Sequence, residues 1–142
     1  MEEESVSPIA WMEVLETGHP DLDAEHLGLI EHCNTLTELV DSRGDWTEIV
    51  TAAGRLAEKC SEHFRSEEDL LHKTAFPRLE RHKEQHREIE RRFKDLVGVL
   101  SGMDGTKAEH RSAARKVRTT LVDILFRHDL DYKSHLQHVA GR

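Results

Sequence analysis

Apolar side chains recur along this chain in steps of four and three. A first series runs Leu22, His26, Leu29, Cys33, Leu36, Val40, and a second runs Ile49, Ala53, Leu56, Cys60, His63, Glu67, Leu70. A third is Leu79, His82, His86, Ile89, Phe93, Leu96, Leu100. The fourth, Ala114, Val117, Leu121, Ile124, His128, has Val122, Leu125, Asp129, Tyr132 and Leu136 beside it. Steps averaging about 3.5 residues set each series on one seam of a helix packed at a shallow angle to its neighbours. Pro20 and Pro77 stand where helices open, and the stretches SRGDWT and SGMDGT interrupt the rhythm. The pattern predicts helices over about 20–41, 46–73, 77–101 and 107–138, behind an N-terminal arm of residues 1–19. One domain spanning 1–142 follows: all-α, an up-down-up-down antiparallel four-helix bundle.

Several seam positions are polar: His26, His63, Glu67, His82, His86 and His128, with Asp129 alongside. In an antiparallel bundle the start of the first helix is level with the end of the second, the start of the third and the end of the fourth. At about 1.5 Å of rise per residue these positions agree in height within about two turns. A buried, unpaired carboxylate costs on the order of several kcal/mol. Metal ions remove that objection, because imidazoles bind through one nitrogen while Glu67 and Asp129 can each span two cations. One histidine on a seam is ordinarily a satisfied core residue; histidines from three helices at one level are not. Histidine plus carboxylate inside such a bundle is the setting of a di-iron site. Zinc prefers about four ligands, fewer than are on offer, so iron is predicted, with manganese the alternative.

Composition narrows the partners. The chain has 142 residues, 37% hydrophobic and 34% charged, enough for one modest helical core. A net charge of -8 argues against nucleic acid or an anionic membrane. The basic cluster Arg87, Arg91, Arg92 alternates with Glu88 and Glu90 and reads as a solvated face. Cys33 and Cys60 read as reduced core residues, and Glu68 and Asp131 as solvated partners. His19, His32, His72, His110, His135 and His138 read as surface or helix-end groups. Neither a long apolar run nor a signal-peptide pattern is present, so a cytoplasmic location is expected. Phosphate-binding loops, CxxC pairs and nucleophile elbows are missing as well.

The motifs TGHPDLDAEH, HFRSEE and FPRLERHKEQH, the ending D-x-x-Y-x-x-H-L from Asp129, and Trp11 in the arm together resemble the hemerythrin family in its bacterial single-domain form. That resemblance implies two iron ions joined by an oxo or hydroxo bridge. His26 and His63 would hold one iron and His82 and His86 the other, with Glu67 and Asp129 spanning both. Leu121, Ile124, Leu125 and Tyr132 would line the ligand pocket. The implied function is dioxygen binding for storage, delivery or sensing. The sequence departs from the family on its last helix, where a fifth histidine is expected five residues before the bridging aspartate and Ile124 stands instead. Shifting the register so that His128 takes that place would put Lys133 at the bridge, so the register through Asp129 is kept. His128, one turn on, either binds the iron in its stead or hydrogen-bonds to a group there. An extra open position favours an alternative, a di-iron enzyme reducing peroxide or nitric oxide, for which a redox partner is expected.

Overall fold

Pro20 opens α1 (Pro20–Asp41) at a position where its missing N–H is no loss. His19 caps the helix, its Nδ1 accepting from the Leu22 N–H at 3.4 Å. The entering chain is tied down by Asp23, whose Oδ1 accepts from the N–H and the hydroxyl of Thr17, each at 2.8 Å. Gly18 turns the chain there at φ +85, a conformation that favours glycine. The computed structural model describes residues 17–42, 46–102, 107–123 and 129–140, excepting the side chains of Trp46, Lys107, His110, Ala114, Val122, Asp129, Leu130, Asp131 and Ala140.

Helix α2 (Trp46–Lys73) ends in a double closure: Phe76 N–H donates to Leu71 O at 2.9 Å and Ala75 N–H to His72 O at 3.1 Å. This places Ala75 in the left-handed region at φ 56 and returns Phe76 onto Leu71. The chain then turns through Pro77 and Arg78, so α3 (Leu79–Ser101) begins two residues later than the proline predicts. The expected last helix over 107–138 is described as α4 (Lys107–Asp123) and α5 (Asp129–Ala140). Residues 124–128, with the candidate residues Ile124, Leu125 and His128, lie outside the described residues, as do residues 1–16 of the arm with Trp11.

Among the described residues, α1 packs on α2 and α4, and α3 packs on the same two helices. The direction is antiparallel: Glu25 near the start of α1 meets His63 and Ser66 late in α2, and Glu67 and Glu68 there meet His82 and His86 early in α3. The larger apolar cluster includes Leu29, Cys33, Leu36, Leu56, Cys60, Phe64, Ile89, Phe93 and Leu121. A smaller one gathers Leu22, Leu71, Phe76, Leu79, Tyr132 and Leu136 at one end. Both cysteines are buried free thiols, and burial pushes Cys33 up to about 12, keeping it protonated. No helix among the described residues is long and apolar enough to cross a membrane.

Between the two clusters the seam changes character. On α1, His26 lies between Leu22 and Leu29; on α2, Glu67 lies between Phe64 and Leu71; on α3, His82 and His86 lie between Leu79 and Ile89. The bundle therefore has a polar layer with apolar packing on both sides.

Candidate metal centre

The layer is sealed: His26, His63, Glu67, His82 and His86 are each no more than 2% exposed. Glu67 is its centre. Oε1 faces His82 Nε2, in close contact, and His86 Nε2 at 3.0 Å. Oε2 faces His63 Nε2 at 2.9 Å and accepts from the Tyr132 hydroxyl at 2.9 Å. His26 Nε2 stands 3.1 Å from His63 Nε2. Two groups of potential metal ligands result, His26–His63–Glu67 and Glu67–His82–His86, and they share the one carboxylate.

Lone pairs decide what this arrangement requires. His63 Nδ1–H donates outward to Glu25 Oε1 at 2.8 Å, and His86 Nδ1–H to Glu68 Oε2 at 2.7 Å. In a neutral imidazole the opposite nitrogen is then an acceptor. Its lone pair would meet a carboxylate oxygen at 2.9 Å for His63 and 3.0 Å for His86. Such pairs repel unless positive charge lies between them, supplied by protons or by metal ions. His86 Nε2 carries the point furthest, being fully buried and turned to Glu67 Oε1. Donors bound to one ion at about 2.1 Å stand roughly 3.0–3.4 Å apart, close to the spacings found here. The residues thus fit a pair of cations, and the cluster is able to coordinate metal.

Burial by itself pushes the Glu67 carboxyl up, but hydrogen bonds from His63, His82 and His86, with the charge of His63, hold it well below the usual carboxylate range. Burial likewise pushes Glu68 up, and Arg87 and His86 bring it below its ordinary value. The Arg87 guanidinium donates to both Glu68 oxygens, at 3.2 and 3.4 Å. Packing fixes the rings: Phe64 stacks on His86 at 4.1 Å between centroids, and Tyr132 meets the His82 ring edge-on at 5.5 Å.

The structure brings together His26, His63, Glu67, His82 and His86 as their seam positions predict, and adds Tyr132 as a donor to Glu67. Leu121 is buried in the larger apolar cluster. The side chain of Asp129 lies outside the described residues; Tyr132 follows three residues later on α5. Glu68 is corrected: it is not a solvated partner but a buried acceptor for His86, reached because it sits one position off the seam toward α3. Glu25 went unremarked in the sequence. Acids adjacent to seam histidines were the available signal, too common to single out in a chain 34% charged.

Residues 17–136 match the family described as the hemerythrin HHE cation binding domain. No curated protein matches the chain.

Proposed function

The chain belongs to the hemerythrin HHE cation-binding family, and we propose that it is a non-haem di-iron protein of the bacteriohemerythrin type that binds dioxygen for storage, delivery or sensing. The observation that supports this most is one buried carboxylate, Glu67, with each oxygen turned to a different histidine pair. In this reading His26 and His63 would hold one ion and His82 and His86 the other, and Glu67 and Asp129 would be the carboxylates the two ions share, with an oxo or hydroxo group completing the cofactor. Two ferrous ions, when bound, supply the electrons and the open coordination position that a diatomic ligand requires.

The protein's own part is positional. Apolar clusters on both sides of the layer shield the buried donors from bulk water. Tyr132 donates to Glu67 Oε2 and limits its rotation. Leu121, Ile124 and Leu125 would give the ligand an apolar wall. A cytoplasmic setting belongs to this reading, supported by the two buried free thiols.

The test is anaerobic loading with ferrous iron, metal analysis, and a visible spectrum before and after admitting air. Two irons per chain and an absorption band reversed by removing dioxygen are expected. Material that retains substantially less iron would sink the proposal.

Ile124, five residues before Asp129, favours a second reading. Without the histidine that the family pattern expects, an ion held by His82 and His86 would have one fewer protein ligand unless His128 supplied it. The chain would then reduce peroxide or nitric oxide with electrons from a redox partner. Turnover of either substrate, without a reversible band, selects this reading; Ile124→His should then slow that turnover.

A further inference from the structure

Two carboxylates outside the ligand set recur in the same relation to it. Glu25 on α1 accepts from His63 on α2, and Glu68 on α2 accepts from His86 on α3. Helices α1 and α2 thus each supply an acid that orients a histidine of the helix that follows. Each acid is also held by a second group. Ser66 Oγ donates to the other oxygen of Glu25 at 2.9 Å, while Arg87 forks onto Glu68. Both arrangements matter for ligation, because an imidazole whose Nδ1 keeps its proton must offer Nε2 inward.

We infer that Glu25 and Glu68 are the positioning residues of the centre, taking the Nδ1–H of His63 and His86 so that Nε2 faces the metals, with Arg87 making Glu68 the weaker acceptor. The inference deepens the di-iron reading and rests on it for the identity of the metals. A carboxylate behind a ligand histidine raises the basicity of the nitrogen that binds. The guanidinium on Glu68 draws off part of that electron density, whereas Glu25, among the described residues, receives a neutral hydroxyl besides His63. His63 is therefore the stronger donor, and the two halves of the centre are unequal before any ligand arrives.

The test begins without metal. In the full chain, proton and nitrogen-15 resonances of the imidazole rings report each Nδ1–H directly. Wild type is expected to show both protons far downfield and slow to exchange, His63 further downfield than His86. Glu25→Gln moves the His63 proton upfield and leaves His86 in place; Glu68→Gln does the reverse. Arg87→Gln, which changes no acceptor, moves the His86 proton further downfield. A purely structural role for these residues predicts none of these selective shifts. With ferrous iron under a competing chelator, each Glu→Gln variant binds roughly ten- to hundredfold more weakly than wild type.

Resonances that stay in place in all three variants, or shift together, overturn the inference even if wild type loads two irons. Selective shifts in a chain that loads no iron would leave the positioning role standing and remove the di-iron reading. Unchanged iron affinity alongside selective shifts would overturn the link between orientation and ligation.

Discussion

Glu67 is the residue on which both halves of the centre depend, because each of its oxygens faces a different histidine pair. Removing it is therefore expected to differ in kind from removing a histidine. Glu67→Gln should abolish retention of both ions, whereas His82→Ala should release one and leave the other with His26, His63 and Glu67; metal analysis after desalting separates the outcomes. Equal loss in the two variants would argue against a shared bridge. Glu68 predicts a pH effect in the metal-free chain. Its carboxyl binds a proton less readily folded than unfolded, because Arg87 and His86 outweigh its burial. Its stabilising contribution is thus complete above the ordinary carboxylate value of 4.5 and is lost as pH falls through the lowered folded value. Glu68→Gln should flatten the acid limb of a denaturation profile as pH falls from 4.5 toward the lowered folded value and leave its slope near neutrality unchanged.

Helix ends decide how the layer is assembled. Ala75 occupies φ 56 at the closure that turns α2 into α3, where a side chain is strained by about 1–2 kcal/mol. Part of the relief given by glycine is offset by its greater freedom in the unfolded chain. Ala75→Gly is therefore expected to raise stability by about 0.5–1 kcal/mol, read as a higher denaturant midpoint with unchanged slope. A lower midpoint would mean that the Ala75 methyl makes a contact outweighing the strain. That turn also sets the height of the third helix. With α3 starting at Leu79, His82 lies one turn in and His86 two, level with Glu67 and Glu68.

The whole bundle is a compromise between packing and charge. Among the described residues, His26, His63, Glu67, His82 and His86 form a buried polar layer between two apolar clusters. Without cations, the facing nitrogens and oxygens depend on shared protons. Ions that bind the folded chain and not the unfolded one stabilise it by mass action, about 2.7 kcal/mol at a hundredfold excess over Kd. Ferrous or manganous ions should raise the thermal midpoint by several degrees, and a chelator should reverse the gain. An unmoved midpoint at saturating metal would contradict the reading of this layer as a binding site.

The bundle and the five central residues were legible along the chain because both depend on helical periodicity: residues three and four apart share a face, and a polar residue on that face stands out against leucines. Helix type, three of the starts and the level of His26, His63, Glu67, His82 and His86 follow from that local rule. Glu25 and Glu68 could not be found that way. They lie off the seam, where acids are abundant, and only the approach of a neighbouring helix turns one of them from a solvated charge into an acceptor for an imidazole proton. Which oxygen of Glu67 serves which pair was likewise a matter of tertiary packing, since side-chain direction across a helix interface depends on the rings and stems stacked around it.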